Sequence, residues 1–359
     1  MKYLILVAAA PLVLAAQDKR VDDYMRAEMN RDGIPGISAV VLRDGKVIHQ
    51  GSYGLANVEL GVPVTDKTVF PLASITKTFA ATAIMRLVEQ GALGLDDDVN
   101  ALLPEIPAAW GTVKVHHLLG HTSGLPDVVV NPITGTWLGS TTTESLAKLA
   151  AMPVASPPGA EWSYNQTNYM LLGMIVEKLS GKPFREFLTE TVIDPLGLKT
   201  VAFGDSRAIV PGRATWYSII NFADGRPRRA RSPHVTWVEY PEFVQTAAGL
   251  NATALDVARF AEAVGKGRVL GQGARSRMWT AVSLADGKVF RMEKTLGVGL
   301  GWIVDDAPGR RSVGGSGGAS VAFRHYPDHG LTVVVLTNLQ GVDPDAMTEH
   351  IASLYLPVS

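Results

Sequence analysis

Strand signals stand at the two ends of this chain and helical signals fill its middle, and that distribution restricts the folds open to it. Near the start, Ile37-Ser38-Ala39-Val40-Val41-Leu42-Arg43 and Lys46-Val47-Ile48-His49 flank Asp44-Gly45, the dipeptide of a tight hairpin. Toward the end, the runs Val298–Val304, Ala319–Tyr326 and Leu331–Thr337 are β-rich, with Pro327-Asp328-His329-Gly330 as the turn between the last two. Between these ends the periodicity is helical. Ser74 to about Gln90 spaces Phe79, Ile84, Leu87 and Val88 for one buried face, and Thr143–Met152, Tyr169–Leu179 and Ala254–Val264 follow. A polar-faced helix from Gln17 to Asp32, ending at Gly33, precedes the first strand, and Asp343–Tyr355 reads as a closing helix. Strands from both ends leave the fewest loose edges if they join one sheet. The expected fold is therefore α/β of the α+β kind: an antiparallel sheet built from the N- and C-terminal segments, flanked by helices, with a mostly helical inserted domain. Residues 17–92 and 271–359 would form the sheet domain and 93–270 the helical one, with a ligand cleft between them.

Composition narrows the function. Of 359 residues, 47% are apolar and 19% charged, enough for a sizeable core, and the net charge of −1 comes without a long block of like charges. Nucleic acid is not an expected partner. The one basic cluster, Arg226-Pro227-Arg228-Arg229-Ala230-Arg231, follows an Asp224-Gly225 turn and reads as a solvated loop. Met1-Lys2, the apolar Tyr3–Leu14 and the small residues around Ala15-Ala16 read as an export signal over residues 1–16. The mature protein is then expected in the periplasm or secreted, without a membrane anchor, because that apolar run is too short to span a bilayer. With no cysteine, disulfides, thiolate metal sites and a cysteine nucleophile are excluded. His116, His117 and His121 cluster without an H-E-x-x-H pattern, and no Gly-rich phosphate loop ends in Lys-Ser/Thr. No metal or organic cofactor is expected.

The chemistry points to Pro71-Leu72-Ala73-Ser74-Ile75-Thr76-Lys77, an S-x-x-K at a helix entry. Residues three apart share a helix face, so the hydroxyl of Ser74 and the amine of Lys77 can meet. Apolar neighbours and the positive end of the helix dipole both favour a neutral lysine, the form that can act as base. A second S-x-x-K, Ser145-Leu146-Ala147-Lys148, follows a polar helix-entry signal, and its lysine reads as ordinary surface.

The company of Ser74 carries a resemblance. Phe70–Phe79 resembles the active-site segment of the serine β-lactamase and penicillin-binding-protein family, Leu118-Leu119-Gly120-His121-Thr122-Ser123-Gly124-Leu125 its characteristic turn, and Trp162-Ser163-Tyr164-Asn165-Gln166 its Y-x-N region. Ala248–Thr253 and Gly299-Leu300-Gly301-Trp302 fall in the same order. The closest flavour is the class C branch, which includes family VIII carboxylesterases and D-amino-acid peptidases. The resemblance implies a β-lactamase/transpeptidase-like fold. It also implies an acyl-enzyme on Ser74, Lys77 as base, Tyr164 as second acid/base, and an oxyanion hole from the N–H groups of Ser74 and Gly318.

Two positions depart from the family pattern. The third residue of Y-x-N is Gln166, with Asn165 one place early, so either amide could hold a substrate carbonyl. Where the family carries K-T-G or H-x-G, this chain has Gly315-Ser316-Gly317-Gly318. The cation that commonly holds a substrate carboxylate is absent at Gly315, which favours neutral esters over β-lactams or D-Ala peptides. The expected substrate is a small-molecule ester or amide, contacted by Trp162, Asn165, Gln166, Ser316 and Gly317. A carboxylesterase on short acyl groups leads. Weak β-lactamase or D-amino-acid peptidase activity, and a module that is acylated without turnover, are the alternatives. Gly314–Gly318 also satisfies the G-x-S-x-G elbow of another hydrolase class, but that elbow needs a helix after the serine and a β-like run follows here.

Overall fold

The computed structural model describes residues 18–131, 136–223 and 226–357. The expected export signal and the Asp224-Gly225 turn lie outside them.

The hairpin signal is met. Strands β1 (Gly36–Arg43) and β2 (Lys46–Asn57) pair antiparallel through Asp44 and Gly45, both at positive φ (50° and 83°), the backbone a tight two-residue turn requires. β3 (Val62–Pro63) extends the edge beside β2. The C-terminal run supplies β4 (Leu296–Val298), β5 (Ile303–Asp305), β6 (Ser312–Gly317), β7 (Val321–Tyr326) and β8 (Leu331–Thr337). These eight strands form one antiparallel sheet in the order β4-β5-β6-β7-β8-β1-β2-β3. The join between chain ends is the β1–β8 ladder, in which Ile37 pairs with Thr337 and Arg43 with Leu331.

Both faces of this sheet are covered, which is why β1 is apolar along its length rather than alternating. Ile37, Ala39 and Val41 face helices α1 (Lys19–Asp32) and α5 (Pro344–Ser353), together with Met25, Met347 and Ile351. Val40 and Leu42 face α2 (Thr76–Glu89) and α4 (Ala254–Gly265) in the larger core. α3 (Gln166–Ser180) lies beyond α2 in the helical layer. Asp18 caps α1 through Arg20, and Gly33 ends it in the left-handed conformation.

Several elements differ from the sequence reading for physical reasons. The run Val298–Val304 is not one strand. It breaks at Gly299–Trp302, where Gly301 turns at φ 75° and a Cβ on Gly299 would lie 2.3 Å from the Met278 carbonyl oxygen. α2 does not bury a single face: Thr76 to Met85 are all buried, making it the central helix. α4, read as part of the inserted helical stretch, packs on β1, β7 and β8 of the sheet. The basic stretch is a strand rather than a loop. Arg226–Val235 pairs antiparallel with Tyr217–Ala223, and this hairpin continues into Leu339–Gln340. No described helix is long and apolar enough to cross a membrane.

Candidate active site

Ser74 sits in a single 3₁₀ turn, Ala73–Ile75, that runs directly into α2. Ala73 before it is in the left-handed region at φ 43°, a conformation costing an alanine about 1–2 kcal/mol. The turn is pinned from the middle of the chain: the Leu72 N–H donates to the Leu250 carbonyl (2.8 Å), and the Leu250 N–H donates to Thr76 Oγ1 (3.2 Å). The Ala248–Thr253 segment is therefore the brace of the serine turn.

Two groups converge on Ser74 Oγ. The Tyr164 hydroxyl donates to it at 2.8 Å, and Lys77 Nζ approaches at 3.4 Å. Lys77 is only 4% exposed; its Nζ donates to the Ala247 carbonyl (2.9 Å) and faces the rings of Tyr164 and Tyr169, 4.8 and 5.3 Å from their centroids. The second S-x-x-K assembles nothing comparable, since Lys148 pairs with Glu144 at the surface and Ser145 is buried.

Tyr164 is held by the residues around it. His121, at φ 58°, lies with its ring 4.6 Å from that of Tyr164, and its Nδ1 accepts the Asn165 N–H (3.2 Å). Burial, reinforced by the nearby Lys77, pushes the His121 imidazole down to about 3, so it is neutral at working pH. Burial raises the Asp127 carboxyl, opposed by the N–H groups of Gln166 and Val129 that it accepts. Among the described residues, no group of His, Asp and Glu is arranged to hold a metal ion.

The opposite wall is β6. A Cβ on Gly317 would lie 2.5 Å from the Leu72 carbonyl oxygen and 2.7 Å from Ser74 N, so glycine alone lets this strand pass so close to the serine turn. Gly318 and Ala319 follow at φ 58° and 46°. Ser316 stands in the strand and β7 follows it, so the elbow geometry of the rival motif is absent. A cavity of about 590 Å³ opens between the walls, lined by Ser74, Lys77, Tyr164, Trp162 and Gly315–Ala319. Trp162 stacks on Phe290 (4.6 Å between centroids), extending the apolar side.

Neither Asn165 nor Gln166 lines this cavity. The Asn165 side chain is taken up by capping α3: its Oδ1 accepts the Asn168 N–H, and its Nδ2 donates to the Leu125 carbonyl (2.6 Å). Gln166 is the first residue of α3 and buried. The Arg226–Arg231 stretch is not in the lining either, and Lys77 is the one Lys or Arg among the described lining residues. Sequence reasoning missed Asp343 and Asp345, which line the far end; Asp343 caps α5 at Ala346, and Asp345 pairs with the buried Arg324 (2.6 Å). No local motif marks them, because they reach the site only through the sheet.

A family model described as Beta-lactamase matches residues 21–356. The chain belongs to that family. Within it, a penicillin-binding protein of Bacillus subtilis (strain 168) is 27% identical over 311 residues, 82% of this chain and 66% of that one. Esterase EstB of Burkholderia gladioli is 31% identical over 259 residues, 65% of this chain and 62% of its own. The chain thus spans about two thirds or less of the length of these curated relatives. Among solved structures, the octameric penicillin-binding protein homologue from Pyrococcus abyssi superposes with a TM-score of 0.79 at 28% identity, covering 94% of this chain and 76% of the other. EstCE1, a hydrolase with promiscuous acyltransferase activity, gives 0.77 at 25% identity, covering 94% and 98%. Family membership and the mixed fold with its antiparallel sheet agree with the sequence reading.

Proposed function

We propose that the protein is a serine hydrolase that works through an acyl-enzyme on Ser74 and acts best on neutral esters of short acyl groups. The observation that carries this reading is the convergence of the Tyr164 hydroxyl and Lys77 Nζ on Ser74 Oγ, in a cavity whose opposite wall offers glycine instead of a cation. Ser74 Oγ attacks the ester carbonyl carbon while its proton passes to Lys77. The oxyanion forms against the N–H groups of Ser74 and Gly318. As the tetrahedral intermediate collapses, Tyr164, the nearer of the two groups, relays a proton to the departing alkoxide, which leaves as the alcohol. Water, deprotonated by the same pair, attacks the acyl carbon and releases the acid, returning the proton to Ser74. The relative named as an esterase supports the ester assignment, as does Asp343 in the lining, a charge of the sign that repels a carboxylate.

A second reading, hydrolysis of peptide-like or β-lactam amides, is favoured by one feature. The β5–β6 ladder ends at Ile303–Gly314, so among the described strands none pairs with that edge of β6 beyond Gly314, and an extended substrate could add there as a strand. One screen separates the readings: short p-nitrophenyl esters, nitrocefin and D-Ala peptides, with peptide mass spectrometry after a covalent serine probe. Steady ester turnover with the label on Ser74 is expected. A stoichiometric burst without turnover means an acylated binder, and a label on Ser316 removes the assignment. We also place the mature enzyme outside the cytoplasm, on the basic and then apolar composition of residues 1–16; N-terminal sequencing of exported protein tests this.

A further inference from the structure

The two proposed oxyanion donors belong to chain segments far apart in sequence, and a left-handed residue stands at each. Ser74 follows Ala73 at φ 43°, and Gly318 is at φ 58°. What fixes one donor against the other is a contact behind the cavity. A Cβ built on Gly318 would lie 2.8 Å from Trp216 Cζ2 and 3.3 Å from the Ala73 Cβ, so indole, alanine and glycine meet at one point. Trp216, Ala73 and Val238 form a small buried cluster separate from the two main cores.

The indole is carried on a fixed backbone. The Thr215 N–H donates to the Ala56 carbonyl (2.8 Å), the Thr236 N–H to the Trp216 carbonyl (2.9 Å), and the Tyr217 N–H to the Asn338 carbonyl (2.8 Å). Among the described residues the buried Nε1 of Trp216 has no hydrogen-bond partner, so no polar contact with them sets the ring's position. A second cavity, of about 220 Å³, lies on its other side, where Pro71, Val238 and Tyr240 join Trp216 in the lining. The ring thus stands against Gly318, which lines the reactive cavity, and itself lines the second.

We infer that Trp216 is a positioning residue whose ring wedges the Ser74 and Gly318 N–H groups into register for one carbonyl oxygen. The inference rests on the acyl-enzyme reading above. Donors of this kind act only within about 2.7–3.1 Å of the oxyanion, so a displacement of a few tenths of an ångström weakens them. The loss falls on kcat, because the contact strengthens only as charge develops on the oxygen.

The test uses Trp216→Phe, Gly318→Ala and the double variant, read by kcat and KM on a neutral p-nitrophenyl ester, Ki for phenylboronic acid, and thermal midpoint. Phe lacks the atoms that reach Gly318. It is expected to lower kcat about ten- to a hundredfold, below the loss for outright removal of a donor, with KM within about threefold, boronate Ki rising in step, and the midpoint little changed. Gly318→Ala drives a methyl into the indole and puts an alanine at φ 58°, so it should show the same kinetic signature with a lowered midpoint. In the double variant that methyl takes part of the vacated space, and kcat should recover at least about fivefold over Gly318→Ala alone. Unchanged kcat in Trp216→Phe, a rise in KM alone, or losses that simply multiply in the double variant would overturn the wedge. If Trp216→Phe does not fold, wild-type kcat and boronate affinity in Gly318→Ala overturn it instead. Ser74→Ala is the separate control: boronate binding or turnover that survives it removes the acyl-enzyme reading itself, and the wedge with it.

Discussion

Restoring a cation at Gly315 is the most direct trial of the substrate ordering, and the structure shows how it must be done. Gly315 is not in the left-handed region, so its backbone accepts any L residue. Space is the obstacle. A Cβ there would lie 2.7 Å from Thr78 Cγ2 and 3.2 Å from Phe323 Cε1, and Thr78 is buried in α2 with its Oγ1 donating to the Ile75 carbonyl (2.8 Å). Gly315→Lys alone should therefore lower the thermal midpoint. Thr78→Ser removes the obstructing methyl and keeps the hydroxyl bond, at a cost of about 0.8 kcal/mol for one buried methyl. In the Thr78→Ser/Gly315→Lys variant, a charge-assisted bond to a substrate carboxylate is worth about 1.5–3 kcal/mol, or one to two powers of ten. The assay is the ratio of kcat/KM for a neutral p-nitrophenyl ester to that for nitrocefin. Wild type should favour the ester strongly, Thr78→Ser should leave the ratio in place, and the double variant should narrow it about ten- to a hundredfold. A ratio that does not move, or wild-type hydrolysis of nitrocefin as efficient as that of the ester, refutes the reasoning.

Lys77→Arg keeps the charge but cannot supply a neutral base; the rate should collapse with circular dichroism unchanged, and a near-wild-type rate would make the lysine electrostatic only. Tyr164→Phe deletes the hydroxyl 2.8 Å from Ser74 Oγ and should cost about 10²–10⁴ in kcat, against little change if that hydroxyl only fills space. Acid should destabilise the fold through buried histidines. Burial lowers His121 to about 3 and His325 to about 4 from 6.5, so the unfolded chain binds more protons below pH 6.5. Stability is then complete above 6.5 and falls toward pH 4 by about 1.4 kcal/mol per unit for each histidine. A thermal midpoint that is flat from pH 7.5 to 4.5 contradicts this.

What the sequence made legible was what local chemistry encodes. Asp44-Gly45 announced its hairpin, and Ser74 with Lys77 announced a helix entry, because turn residues and three-residue spacing act over short range. The Arg226–Val235 strand was hidden because, among the described residues, it pairs along one side alone, with Tyr217–Ala223. On such an edge Pro227, Pro233 and exposed arginines carry no penalty, so the composition reads as loop. Asn165 showed the opposite failure. Its place beside Tyr164 suggested substrate, whereas an asparagine before a helix is equally a cap, and the cap is what α3 uses. Trp216, Asp343 and Asp345 carried no local mark, since each is brought to the site by the folded sheet and not by its neighbours in the chain.

The β1–β8 ladder has a consequence in time as well as in space. Pairing Ile37 with Thr337 makes the fold one of high contact order, so its loop-closure entropy is met late and folding is slow. Until β6 to β8 have emerged from the ribosome, Gly317 and Gly318 cannot stand beside Ser74. A nascent chain, or one cut short before Leu331, therefore carries its serine and lysine but no cradle for a reacting carbonyl. A chain stopped at residue 330 should leave a covalent serine probe unreacted, so that hydrolysis begins only with the whole molecule folded.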